Sequence, residues 1–219
     1  MPRISVSATF GRARDFAVRW RKDKKGVAAV EFAFVVPIMM VMFIGAVELS
    51  QAITVDRRVT QVAGSTADLV ARKETSISNS EITDILRVGG FIMAPYSQSP
   101  LQVVMRNVTS SSKDATSTKQ SWQCTFSGAG VNPTPTCACM NTTYALPAGL
   151  VTTNDSVVVA EVTYTYTPIL FDYFLKQGFP NGAGGAGTYA LTERIFMKPR
   201  GQAAMLLKSD GTPCPSPTF

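Results

Sequence analysis

The sequence predicts an α+β protein in which one long N-terminal helix precedes a C-terminal head with an antiparallel sheet. Residues 27–47 form an apolar stretch of 21 residues, long enough to cross a bilayer because a helix rises about 1.5 Å per residue. Helical periodicity continues beyond this stretch to about Lys73. Strand-like runs alternate with turn-rich segments in residues 74–219, which suffice for one compact domain.

The first 26 residues carry the whole net charge of the chain. Eight basic and two acidic residues lie within residues 1–26, whereas the remainder holds 13 basic and 13 acidic side chains. The basic isoelectric point is therefore a property of this leader and does not indicate a nucleic-acid partner. By the positive-inside rule, a basic leader ahead of a single span lies in the cytoplasm, so residues from about Leu49 onward are expected outside.

The apolar stretch follows Gly26, begins at Val27 and contains one charge, Glu31. A carboxylate inside a membrane helix costs about 2.5–3.5 kcal/mol on insertion scales, so it usually has a partner. The stretch exceeds the about 7–15 apolar residues of a secretory signal, and Ile44-Gly45-Ala46 is a poor small-x-small cleavage site. Processing at Gly26 is the preferred interpretation. Cleavage behind the span and an uncleaved signal anchor are the alternatives.

A basic flank, a glycine, small apolar residues and a glutamate follow one another here as in type IV prepilins, which this segment resembles. The run Gly26-Val-Ala-Ala-Val-Glu-Phe-Ala-Phe-Val-Val-Pro37, with Gly45-Ala-Val-Glu-Leu49 after it, is similar to the N-terminal domain of the TadE-like family, TadE and TadG, of tight-adherence pilus systems. A weaker similarity lies at Tyr164–Pro168 and Met197–Arg200. Two departures are Val27, where the best-known pilins have phenylalanine, and the long leader.

The resemblance implies a minor pseudopilin or assembly component of a tight-adherence, Flp-type pilus. It implies that a prepilin peptidase cleaves after Gly26, that Val27 becomes the new N-terminus, and that Glu31 pairs with the terminal amine of a neighbouring subunit. The implied partners are that peptidase, other pilin-like subunits and the inner-membrane assembly machinery. The expected location is the bacterial inner membrane, with one span, a cytoplasmic N-terminus and a periplasmic head. Incorporation of the subunit into a pilus is compatible with this location.

The chain is expected to have four segments: a basic cytoplasmic leader at 1–26, a transmembrane segment at 27–47, a continuation of the helix at 48–73 and an extracytoplasmic head at 74–219. Pro37 removes one backbone hydrogen bond within the span and predicts a kink, which is either simply tolerated or helps the subunit bend during extraction. The continuation carries residues at helical spacing that predict its packed face: Ile53, Val59, Val62, Ala63, Thr66, Leu69 and Val70.

The head is predicted to begin with a short helix. Ser78 and Glu81 have the spacing of a capping box, and Gly89-Gly90 predicts an end to this helix after Val88. Strands are predicted at 101–108, 120–126, 156–167 and 189–197. Turns are predicted at 110–117 and 128–136, and a glycine-rich loop at 181–187.

Four cysteines lie on the predicted outer side of the membrane: Cys124, Cys137, Cys139 and Cys214. An even number of cysteines in an oxidising compartment indicates two disulfides, with three possible connectivities. Cys137 and Cys139 are too close to pair easily with each other, so Cys124 is expected to bond to one of them and Cys214 to the other. A zinc site is the rival interpretation, although the chain has no histidine and no pair of C-x-x-C motifs.

No enzyme activity, cofactor or metal site is expected. Histidine, the usual base of nucleophilic triads, is absent, and the glycine-rich loop lacks the Gly-Lys-Ser/Thr ending of a phosphate-binding loop. The alternative to a pilus component is an uncleaved single-span envelope protein whose periplasmic head binds cell-wall, secretin or surface partners. The N-terminus distinguishes the two functions: Val27 for the first, Met1 or Pro2 for the second.

Overall fold

The structure is a computed structural model that describes residues 26–73, 76–128, 134–170, 187–201, 206–209 and 212–219. The predicted leader lies outside the described residues apart from Gly26, as does the glycine-rich loop apart from Gly187. The described helices and strands are, in chain order, α1 (Val27–Ala71), β1 (Ser76–Ser78), α2 (Asn79–Met93), β2 (Leu101–Ser110), β3 (Thr118–Ser127), β4 (Thr136–Thr143), β5 (Ser156–Tyr166), β6 (Tyr189–Met197), β7 (Leu206–Ser209) and β8 (Thr212–Pro213).

Helix α1 confirms the predicted long N-terminal helix, and the chain divides into two units between Val47 and Glu48. In the first unit, α1 exposes nearly all of its apolar side chains. In the second unit, one face of α1 is buried, with residues at helical spacing: Val55, Val59, Val62, Ala63, Thr66, Ala67 and Val70. Ile53 was predicted on this face but is exposed. Val55 is buried instead, because it lies four residues before Val59 and therefore on the same face.

The head contains a five-stranded sheet in the order β4-β3-β2-β5-β6, in which every pair is antiparallel. This sheet confirms the predicted α+β class. One face contributes to the main core together with α1 and α2, and that core includes Val62, Ile85, Met105 and Trp122. Part of the other face carries a smaller cluster around Val159. Strand β5 is buried along most of its length because it lies between β2 and β6 with apolar clusters on both faces.

The capping box of α2 is present as predicted: the Glu81 backbone N–H bonds the Ser78 hydroxyl, and the Glu81 carboxylate accepts from the Ser78 N–H at 2.9 Å. The predicted end of α2 ahead of Gly89 is wrong, because the helix continues to Met93. A Cβ on Gly89 would lie 3.2 Å from the Val62 Cγ1 atom of α1. This glycine therefore permits close contact between two helices instead of ending one of them.

Two features of the head were not predicted. Strand β4 follows the segment that was assigned to turns, and most of its side chains are exposed, so it lacks the apolar alternation that identifies a strand. Strands β1, β7 and β8 form a second small sheet in which β1 and β7 are parallel. These strands have two to four residues each, and their pairing joins distant parts of the chain.

Two disulfides join β4 to the rest of the head: Cys124–Cys137 and Cys139–Cys214. The first links directly opposite residues of β3 and β4, and the second links β4 to the C-terminal tail. The closely spaced Cys137 and Cys139 thus take separate partners, which is the preferred arrangement from the sequence. The tail is also held by the Asn141 amide, which donates to the Thr218 hydroxyl at 3.0 Å.

We predict that exported protein contains no titratable thiols when it is unfolded without reductant, and that reduction lowers its melting temperature. The disulfides close loops with sequence separations of 13 and 75 residues, worth about 3 and about 4.5 kcal/mol in the chain-entropy model. Replacing Cys139 and Cys214 together by serine should therefore destabilise the head more than replacing Cys124 and Cys137. Four reactive thiols in the exported, unreduced protein would contradict this prediction.

Candidate functional site

The predicted processing site lies at the very start of α1. Gly26 is exposed and forms the residue before the helix, and Val27, also exposed, is the first helical residue. A Cβ on Gly26 would meet no atom within 4 Å. The packing of this chain therefore does not require glycine at position 26, so a requirement for it would have to come from another molecule.

Glu31 lies one turn after Val27, on the same face of α1, because residues four apart in a helix are neighbours. Its side chain is exposed, and within the described residues it makes no hydrogen bond or ion pair. The structure thus brings the predicted cleavage point and the predicted pairing carboxylate to adjacent turns. The carboxylate is accessible to a group from outside the chain.

Pro37 lies inside α1, which continues through it as one α-helix. The surrounding surface is apolar and exposed, with a shallow recess lined by Pro37, Ile38, Val41 and Met42. The helix is long and apolar enough to cross a membrane, by length and composition, and its most apolar window has no buried residue. A surface of this kind is compatible with contact with lipid or with other apolar helices.

Glu48 is a residue whose contacts the sequence analysis did not anticipate. It is the first residue of the second unit, and only 6% of its surface is exposed. The Tyr166 hydroxyl, at the end of β5, donates to one carboxylate oxygen at 3.1 Å. The backbone N–H of Leu170 donates to the other oxygen. The carboxylate therefore links α1 to the chain at the end of the central sheet.

The environment of the Tyr166 hydroxyl changes its pKa. Burial, together with its hydrogen bond to Glu48, raises the pKa of Tyr166 from 10.0 to about 12. A phenol with a raised pKa stabilises the fold fully below its unfolded pKa, and this contribution is lost as the pH rises from about 10 towards 12. In the sequence, Glu48 lies in the segment Gly45–Leu49 and Tyr166 in the segment Tyr164–Pro168, both of which resemble the TadE-like family. That resemblance does not show that the two residues are in contact.

The described parts of the head contain acidic and cysteine side chains, which are possible metal ligands. Within these residues, no group of three or more His, Cys, Asp or Glu side chains is placed to hold a metal ion. The four cysteines are all bonded to one another in pairs. The candidate site therefore consists of two carboxylates that make or accept contacts: Glu31 is accessible, and Glu48 is buried and hydrogen-bonded.

We predict that Glu48→Ala destabilises the head by about 1.5–3 kcal/mol, because it leaves the buried Tyr166 hydroxyl and the part-buried Leu170 N–H without their charged acceptor. Glu48→Gln keeps an acceptor oxygen and should cost less. Thermal unfolding of the full chain in detergent measures both. Tyr166→Phe serves as a comparison: it should reduce the loss of stability above pH 10 that the wild type shows, to which Tyr164 also contributes because burial raises its pKa as well. Equal melting temperatures for wild type and Glu48→Ala would contradict the structural role of this carboxylate.

No curated protein and no solved structure matches this chain. The family model described as TadE-like protein matches residues 26–68, which include the predicted processing site, Glu31, Pro37 and Glu48. The resemblance inferred from the residues is thereby confirmed for residues 26–68, a segment that is similar to that of TadE-like proteins.

Proposed function

We propose that this protein is a minor pseudopilin or assembly component of a tight-adherence pilus. The match to the TadE-like family supports a protein associated with this pilus system through an N-terminal apolar helix. The observation that carries the finer proposal is the arrangement at the start of α1, where an exposed glycine is followed one turn later by an exposed carboxylate within an apolar surface. The family is a structural pilus component and is not known as an enzyme family.

The first step in the proposed mechanism is insertion into the inner membrane. The leader, with its excess of six positive charges, stays in the cytoplasm, so residues 27–47 span the bilayer and the head folds outside. The two disulfides fit this orientation, because disulfides form and persist in oxidising compartments. Membrane and head remain linked by the continuous helix α1.

Processing then converts the inserted precursor into an assembly-competent subunit. A prepilin peptidase cleaves after Gly26, where the missing Cβ lets the scissile backbone approach the enzyme. Cleavage removes the basic leader and creates an amine at Val27. Glu31 pairs with the terminal amine of a neighbouring subunit as the apolar helices pack side by side. A buried pair of this kind fixes the register between helices more than it adds net stability.

Packing helix against helix also explains why the span is exposed and apolar on all sides. Small side chains at positions 28 and 29 allow close approach of a second helix near the proposed N-terminus. Pro37 supplies a point at which the helix bends when the subunit leaves the bilayer. The proposed partners are thus the peptidase, other pilin-like subunits and the membrane-embedded assembly machinery.

We predict that Gly26→Ala blocks removal of the leader. Because a Cβ at this position meets nothing within 4 Å in this chain, the variant should fold normally and be defective only towards the peptidase. Coexpression with a prepilin peptidase, followed by intact-mass measurement and N-terminal sequencing, tests this. The wild type should begin at Val27.

Gly64→Ala is the matched control, since its Cβ would make an ordinary contact at 3.6 Å from Ile195 Cδ1 and glycine is unfavourable within a helix. This control should be processed like the wild type. A wild-type protein that still begins at Met1 or Pro2 would instead support the uncleaved envelope protein, whose head binds cell-wall, secretin or surface partners.

We predict that Glu31→Val improves retention in the membrane but reduces association with other pilin-like subunits. The substitution removes the cost of a carboxylate in hydrocarbon together with the partner of the terminal amine. Glu31→Asp should show an intermediate defect, because its carboxylate is one methylene shorter. Crosslinking to neighbouring subunits and counting of pili measure the effect. Normal piliation in cells that carry only Glu31→Val would contradict the pairing role.

A further inference from the structure

The second unit exposes three large aliphatic side chains close to its first residue. Leu49 is 62% exposed, Ile53 is 46% exposed and Ile169 is 66% exposed. Leu49 and Ile53 lie four residues apart on α1 and so occupy the same face of the helix. Single exposed aliphatic residues are common on protein surfaces. These three differ from scattered surface residues because all of them lie near the first residue of the unit, Glu48.

Ile169 is brought to this end by Glu48. The Leu170 N–H that bonds the Glu48 carboxylate belongs to the peptide unit that joins Ile169 to Leu170. Pro168, just before it, is buried. A segment 122 residues away along the chain is thereby held against the turn of α1 that carries Leu49. We call Leu49, Ile53 and Ile169 the aliphatic collar.

The collar lies within reach of the bilayer surface if the span ends at Val47. At about 1.5 Å per residue, Leu49 lies about 3 Å and Ile53 about 9 Å beyond the span along the helix. The interfacial layer on each side of the hydrocarbon core is about 5–8 Å thick, so Leu49 lies within this layer and Ile53 just beyond its outer edge. Arg57, exposed and four residues after Ile53, continues the same face with a basic group that is able to reach back towards lipid phosphates.

Two polar groups beside the collar are hydrogen-bonded within the chain. The Glu48 carboxylate is already buried and accepts from the Tyr166 hydroxyl and the Leu170 N–H, so covering this end of the head removes little further water from it. The Thr54 hydroxyl donates to the Ser50 carbonyl at 2.8 Å, a bond back to the preceding turn that hides a hydroxyl in an apolar environment. These two groups therefore add little to the cost of placing this surface in a lipid interface.

We infer that the aliphatic collar is a membrane-contact surface by which the head rests on the outer interface of the bilayer that holds α1. Its occupant is lipid because the collar continues the exposed apolar surface of the same helix with only Glu48 between them. The inference rests on the proposed membrane insertion of residues 27–47. It assigns to Glu48 the role of holding Ile169 at the lipid surface.

Single-cysteine labelling of the full chain tests this inference. All four native cysteines are in disulfides, so an introduced cysteine is the one reactive thiol. Leu49→Cys and Ile169→Cys are labelled with an environment-sensitive fluorophore in phosphatidylcholine vesicles that contain nitroxide-labelled lipid. Val41→Cys reports insertion of the span. Phe91→Cys is the matched control, because Phe91 is 76% exposed but lies on α2.

The expected result is quenching by nitroxide lipid that is several-fold stronger at positions 49 and 169 than at position 91, with strong quenching at position 41. Quenching at 41 but not at 169 would overturn the collar and leave the membrane span intact. Equal quenching at 91 and 169 would also overturn it. Absence of quenching at 41 would overturn the proposed insertion itself. If the fluorophore at position 169 reports an apolar environment only at a high protein-to-lipid ratio, the occupant is a second copy of this chain. That result would refute lipid contact.

Discussion

The head depends on one interaction, the burial of the Glu48 carboxylate where α1 enters the second unit. An isolated carboxylate in a low-dielectric environment is strongly unfavourable unless donors meet it. The Tyr166 hydroxyl and the Leu170 N–H do so from the end of β5. Since β5 pairs with both β2 and β6, this contact joins the turn of α1 that begins the second unit to an interior strand of that unit's sheet. The same helix reaches the sheet again through its buried face at Val55–Val70.

The two glutamates of the matched segment illustrate two ways of treating a carboxylate. Donors of its own chain bond the Glu48 carboxylate, so the cost of burying it is offset when the head folds. Glu31 is exposed among apolar side chains, and within the described residues it makes no hydrogen bond or ion pair. Its cost in a membrane persists until another molecule supplies a donor. On the proposed function, that difference separates a group used for folding from one used for assembly.

Local patterns predicted local structure well. The long helix, the Ser78–Glu81 capping box and the strand Tyr189–Met197 could be inferred because each depends on residues near one another in the chain. Features set by distant contacts could not. Gly89 suggested a helix end until its closeness to Val62 showed a packing role, and β4 carries too little apolar alternation to be identified without its disulfides.

The candidate site also combines residues that lie close together in the sequence with a contact between distant residues. Gly26, Val27 and Glu31 were chosen from their order alone, because the peptidase and neighbouring subunits of the resembled family act on a short linear segment, and their roles belong to the proposed function. The Glu48–Tyr166 contact could not, since it joins residues 118 positions apart. Ile53 shows the limit of periodicity: an aliphatic residue at plausible helical spacing predicts burial, yet Ile53 is exposed, and on the inferred membrane-contact surface an exposed aliphatic residue is equally reasonable.

Strand β4 connects the fold to the compartment in which it forms. It is an edge strand with mostly exposed side chains, and such edges are prone to pair with other chains. Two disulfides hold β4 to β3 and to the C-terminal tail, and these bonds require an oxidising environment. The leader charge independently predicts the same side of the membrane for the head. Oxidation of the head and cleavage at Gly26 would therefore occur on opposite sides of the bilayer. A defect in one does not chemically prevent the other, so variants at Gly26 and at the cysteines separate processing from folding.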